Sequence, residues 1–133
     1  MLDIIDLKFL APEVLRNWLT KESKRLIIVD VRDDDFQTGH IRDCFHILSH
    51  EFDSYLPQLQ QTLLAKDYSD IIFHCALSQV RGPKATLKYL RALNSLREDE
   101  SRQLDQINVW VLEGGYQAWH RLYGNDNKVT VRF

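Results

Sequence analysis

The chain has 133 residues, 44% of them apolar and 27% charged, and 17 Lys plus Arg against 19 Asp plus Glu leave a net charge of −2. These proportions exclude a disordered polymer, and two cysteines are too few for a disulfide scaffold. A nearly balanced charge gives no reason to expect nucleic acid or an anionic membrane surface as a partner.

The opening MLDIIDLKFL carries Asp3 and Asp6 where a secretory leader has basic residues, and no apolar run reaches the ~18 residues of a membrane span. Cytoplasm or nucleus is therefore the expected compartment. Pro12 suits a helix start, with Val14, Leu15, Trp18 and Leu19 at helical spacing behind it. LIIVDV (26–31) is a continuous apolar, β-branched run, the pattern of a strand buried on both faces. FHIL (45–48) is a shorter strand candidate, and Leu56, Leu59, Leu63 and Leu64 mark a helix over 52–64. DIIFHC (70–75) and INVWVL (107–112) read as two more buried strands. Between them, a helix from Pro83 has Ala85, Tyr89, Leu90 and Leu93 on one face and Lys84, Lys88 and Arg91 on the other. Gly114 and Gly115 open a last short helix containing Tyr116, Trp119 and Leu122. Alternating strands and helices predict an α/β fold, a mostly parallel central sheet with helices on both faces. One domain is expected over residues 1–133, with a core of about 5–123 and a polar, peripheral tail at 124–133.

The chemistry is expected in HCALSQVRGP (74–83), between a buried strand and a helix. Ligands of open parallel sheets bind at the carboxyl ends of the strands, where this loop lies. Five residues separate Cys75 from Arg81: Ala76, Leu77, Ser78, Gln79 and Val80. A curled run of backbone N–H groups ahead of a helix N-terminus makes an anion cradle. Arg81 adds a planar fork for two oxygens of a tetrahedral oxyanion. The same positive field favours the thiolate of Cys75, a nucleophile aimed at phosphorus or arsenic. Taken alone, Cys75 reads as a small buried residue at a strand end; its position, the loop length and Arg81 turn the reading toward chemistry.

This loop resembles the active-site loop of the M-phase inducer phosphatases, which share the rhodanese fold. Two further motifs follow the family in order. IIVDVRDDDFQTGHIRDCFHI (27–47) is similar to its Asp-x-Arg strand end and Gly-His-Ile signature, and VWVLEGGYQAW (109–119) is similar to its closing strand, glycine pair and aromatic helix. The resemblance implies a rhodanese-like domain, either a tyrosine or dual-specificity phosphatase with a phosphocysteine intermediate or an arsenate reductase using a glutathione-type thiol. A partner-binding module without catalysis is the third reading. Sulfurtransferase members have four residues in the loop, whereas phosphatases and arsenate reductases have the wider ring of five that occurs here. The resemblance also implies phosphate, arsenate or sulfate in the loop, phosphorylated protein or aryl phosphate as substrate, and no metal or organic cofactor. The inducer phosphatases carry loop glutamates where this chain has Ala76 and Val80, and a second cysteine where it has Val31. A loop general acid and that disulfide are therefore not expected.

Asp30 and Arg32 at the strand end are expected to form a local turn and salt bridge, Asp30 alternatively bracing the catalytic loop. His74, next to the nucleophile on a strand, should point the opposite way and act on the site only through packing and hydrogen bonds. His40 reads as a hydrogen-bonded fold residue, and Cys44 as a small buried residue rather than a resolving thiol. His40, Cys44, His46 and His50 lack a recognised zinc spacing. Nothing in the sequence places Asp33, Asp34, Asp35 or Glu51 near a substrate.

Overall fold

Continuous apolar runs become central strands because helices cover both faces of the sheet. The computed structural model describes residues 2–132. In chain order come β1 (Phe9–Leu10), α1 (Pro12–Lys21), β2 (Leu26–Asp30), β3 (His40–Ile41), β4 (Phe45–His46) and α2 (Phe52–Ala65). They are followed by β5 (Asp70–His74), α3 (Arg81–Ala92), α4 (Glu98–Asp105), β6 (Asn108–Leu112), α5 (Gly115–Tyr123) and β7 (Thr130–Val131). Five strands form one all-parallel sheet in the order β1-β6-β5-β2-β4, with β5 at its centre.

The two-residue period of a strand sorts its side chains between the helical layers. Ile27, Val29, Ile71 and Phe73 meet Phe52 and Leu59 of α2, Tyr89 of α3 and Leu104 of α4. Ile28 and Ile72 meet Leu15 of α1 and Tyr116 and Trp119 of α5. Each large apolar side chain so buried contributes roughly 1.5–3 kcal/mol.

Four local features differ from the expectation. The strands β1, β3 and β7 have two residues each, too short to carry a periodic signal. α4 buries only Leu104; three acids in its first turn and the Arg102–Glu98 pair at 2.9 Å support it instead. α3 starts at Arg81, so Pro83 falls in the first turn, where its missing N–H costs no helical bond. The expectation of a peripheral tail is corrected. Val129 is fully buried, β7 pairs antiparallel with β3, and the Trp119 indole donates to Thr130 Oγ1 at 2.9 Å. The polar composition of 124–133 concealed two side chains that complete the core.

At the carboxyl end of β2, Asp30 and Arg32 form a buried ion pair. Arg32 donates from Nη2 to Asp30 Oδ2 at 2.7 Å and from Nε to both carboxylate oxygens, at 3.1 and 3.0 Å. Its remaining edge donates to the carbonyls of Gly39 at 2.6 Å and Asp35 at 3.2 Å, and its guanidinium lies 4.0 Å from the Tyr116 ring centroid. Burial alone would push the Asp30 carboxyl up; the His74 ring and the Arg32 guanidinium reverse this and hold it below the usual range. Complete burial pushes the His74 ring down despite the neighbouring Asp30, so it is neutral. Arg32 is the cation hydrogen-bonded to Asp30.

Replacing Arg32 by Met strands a buried carboxylate, and a loss of about 3–5 kcal/mol is expected in urea unfolding. Acid should weaken the native protein in two stages. Unfolded His74 takes a proton near its ordinary 6.5 while the folded ring resists, so stability falls below about that pH. Asp30 adds a further loss below 3.8, because the unfolded carboxyl protonates first. Urea midpoints at pH 7, 5 and 3 should decline in that order; a midpoint higher at pH 5 than at pH 7 contradicts the assignment.

Candidate active site

Cys75 follows β5 directly, on the side of the sheet that faces α2 and α3, and is 3% exposed. Its Sγ accepts a hydrogen bond from the backbone N–H of Gly82 at 3.1 Å, in the first turn of α3. That helix has no side-chain cap at its N-terminus, so its positive end is turned to the thiol and the loop. Gly82 permits this approach: a Cβ there would lie 3.3 Å from Cys75 N and from His74 atoms.

The loop from Ala76 to Val80 curls over the helix end. Ser78 takes a positive φ of 56°, a left-handed turn uncommon for a residue other than glycine. Its hydroxyl is buried and has no hydrogen-bond partner. Leu77 and Val80, 45% and 70% exposed, form an apolar rim, with Gln79 also exposed. The loop carbonyls are tied away from it, Cys75 O accepting from Tyr116 N and Ala76 O from Gln117 N, each at 2.9 Å. Gly115, at φ +60°, makes that docking possible, since a Cβ would lie 2.5 Å from Ala76 O.

Arg81 is the first residue of α3 and does not turn its fork to the loop. Its Nη2 donates to Asp35 Oδ2 at 2.8 Å and its Nη1 to Asp35 Oδ1 at 3.1 Å, with Asp33 Oδ2 at 3.5 Å. Hydrogen bonding from Arg81 holds the Asp35 carboxyl below the usual range, despite partial burial. Burial pushes Asp33 up, but hydrogen bonds from Ser49 and Arg81 bring it below the usual range too. The Asp35 contact likewise raises the affinity of Arg81 for its proton. Asp33 and Asp35 are the residues that sequence reasoning failed to place, because they meet Arg81 across more than forty positions.

The other candidates separate. His74 points to the opposite face, its ring 6.5 Å from that of Tyr116 and its Nε2 3.7 Å from Asp30. Among the described residues, the hydrogen bonds to the Asp30 side chain come from Arg32, so it closes a turn; just past β2, Val31 N donates to His74 O at 2.9 Å and extends the pairing with β5. Cys44 packs with the cluster on the far side of the sheet, and burial, with Asp30 nearby, pushes its thiol up to about 12. His40 and His46 stack on Phe36, and His50 lies 3.5 Å from Asp33. Among the described residues no group of three or more His, Cys, Asp or Glu side chains could hold a metal ion. Lys88 pairs with Asp53 at 3.0 Å and Arg91 donates to Leu2 O, so part of the basic stripe is structural. A groove of about 320 Å³ runs from Arg81 past Lys84 to Lys88, edged by His50 and Asp53.

The family model of the rhodanese-like domain matches residues 11–122. The chain belongs to the rhodanese-like family. Its curated relatives include the CDC25-like phosphatase YCH1 of Saccharomyces cerevisiae, 34% identical over 98% of this chain and 93% of its own length. Arsenate reductase 2.2 of rice (Oryza sativa subsp. japonica) is 40% identical over 71% of this chain and 69% of its own. A solved rhodanese-family structure, that of the yeast protein tyrosine phosphatase Ygr203w, matches with a TM-score of 0.82 at 35% identity over 94% of this chain and 92% of its own.

Gly115→Ala tests the docking of the loop on α5. The strained φ and the contact with Ala76 O should together cost more than about 1 kcal/mol in thermal unfolding. The same variant should lose protection of Cys75 by phosphate against iodoacetamide. Unchanged stability and protection would mean that α5 does not set the loop.

Proposed function

We propose that this chain is a phosphatase of the rhodanese type with Cys75 as its nucleophile. The observation that carries the reading is the Gly82 N–H on Cys75 Sγ at the uncapped end of α3, the contact a thiolate accepts. The thiolate attacks phosphorus, the leaving oxygen departs, and water hydrolyses the phosphocysteine to phosphate and free thiolate. Backbone amides of residues 76–81, with Arg81 once it faces the loop, hold the equatorial oxygens where negative charge grows. The names of the yeast relatives support phosphate-ester hydrolysis. A free thiol nucleophile suits the reducing cytoplasm or nucleus. No helix among the described residues is long and apolar enough to cross a membrane.

Aryl phosphate, and phosphotyrosine among phosphoproteins, is the substrate class this site favours. Ala76 and Val80 hold no proton, and in the resting site Asp35 is kept ionised by Arg81 and Asp33 by Ser49 together with Arg81. An effective general acid is typically worth ~10²–10⁴-fold, felt most by basic alkoxide leaving groups. An aryl oxide departs without that help, and the rim of Leu77 and Val80 offers an apolar seat for its ring. The rice relative's name supports a second reading on the same cradle, with Cys75 attacking arsenic and glutathione as reductant.

Cys75→Ser should abolish turnover of an aryl phosphate, and Arg81→Lys should cut it severely, because a point charge cannot grip two oxygens. Full activity in the serine variant would end this mechanism. Across phenyl phosphates of graded leaving-group basicity, kcat/KM should fall steeply, with phosphoserine the poorest substrate. A flat dependence with comparable phosphoserine hydrolysis contradicts the assignment. Arsenite formation from arsenate with glutathione, compared in wild type and Cys75→Ser, separates the second reading.

A further inference from the structure

Two aspartate–arginine pairs lie near the carboxyl ends of the central strands, both with two donors on one carboxylate but opposite in exposure, Arg32 using its Nε–Nη2 edge and Arg81 its two Nη atoms. In the Asp30–Arg32 pair both side chains are essentially inaccessible, at 0% and 2%. In the Asp35–Arg81 pair the carboxylate is 39% and the guanidinium 31% exposed, and both outer nitrogens of the fork are engaged. Separating the first pair would strand a charge in the core; separating the second leaves Asp35 to water.

We propose that Asp35 is a specificity-determining carboxylate that occupies the fork of Arg81 until an incoming oxyanion displaces it. Two carboxylate oxygens match the two parallel donors of a guanidinium as two oxygens of a phosphate do. Asp35 thus stands in for two of the four oxygens of a tetrahedral ligand. It is also the fixed half of the pair. Its carbonyl accepts from Arg32 and from Thr38 Oγ1, and its Oδ1 accepts from Asp33 N at 2.9 Å. The moving part is Arg81, whose stem begins at the end of the helix that donates Gly82 N–H to Cys75 Sγ.

Displacement by a doubly charged tetrahedral anion is favourable because the anion gains the loop amides together with Arg81. A planar or singly charged anion fits only part of this set and does not repay the lost ion pair. Asp35 is thereby a positioning residue acting through Arg81, one that weakens binding of every oxyanion while favouring those that fill the whole cradle. This inference rests on the oxyanion-site reading above.

The test is a binding measurement, independent of turnover. Cys75 alkylation by iodoacetamide is followed by peptide mass spectrometry, at near-physiological salt, against rising inorganic phosphate. Asp35→Asn keeps the Oδ1 acceptor for Asp33 N while removing the charge. Asp34→Asn makes the same charge change at the exposed neighbouring residue. Partly exposed ion pairs are weak, so half-protection should need roughly two- to fivefold less phosphate in Asp35→Asn than in wild type. Asp34→Asn should remain close to wild type. With an aryl phosphate substrate, KM should fall by a similar factor in Asp35→Asn without a matching fall in kcat. A merely structural role predicts weaker binding, so equal or weaker protection in Asp35→Asn overturns the proposal. An equal gain in both variants overturns it as well, in favour of long-range charge. Absence of phosphate protection in all three proteins overturns the oxyanion site itself.

Discussion

The guanidinium of Arg32 is the one group on which the rest of the site depends. It neutralises Asp30 at the end of β2, ties down the carbonyls of Asp35 and Gly39, and lies against the Tyr116 ring of α5. One buried side chain therefore ties together the strand end, the turn carrying Asp33 and Asp35, and the helix that receives the catalytic loop. A buried ion pair is seldom a net gain over apolar packing, but losing one partner is expensive. Its value here is positional: five donors of fixed geometry specify where three segments meet.

The loop between Cys75 and Arg81 is held from two directions. From below, the close approach of α3 to β5 at Gly82 delivers a backbone N–H to Cys75. From the side, the first amides of α5 engage the carbonyls of Cys75 and Ala76. Peptide groups whose carbonyls are held outward present their N–H groups inward, so the polarity of the ring follows from contacts outside it. Arg81 and its two acidic neighbours then stand at the edge, exposed enough to exchange partners.

The central strands and the strand–loop–helix course of 74–83 were legible because their signals are local: continuous β-branched runs, and a cysteine and an arginine at fixed spacing before a helix. The local salt bridge of Asp30 and Arg32 was legible for the same reason. What escaped was short, or distant in sequence. Two-residue strands such as β1 and β7 have no period to detect, and α4 buries one leucine among seven other, mostly polar residues. Val129 and Thr130 sit within a polar stretch, and only the partnership with Trp119 and β3 gives them a core role. The approach of Asp35 to Arg81 depends on the tertiary path of the 34–39 turn, so spacing alone could not disclose it.

Anchoring the loop through its carbonyls, rather than through its side chains, has a consequence for how such a protein can diversify. Ala76, Leu77, Gln79 and Val80 take no part, through their side chains, in the hydrogen bonds that shape the ring. Substitutions among them alter the chemistry and texture of the mouth while leaving the peptide planes where α5 holds them. On the function proposed above, such substitutions would change which oxyanion esters the mouth favours while the backbone held by α5 stays in place.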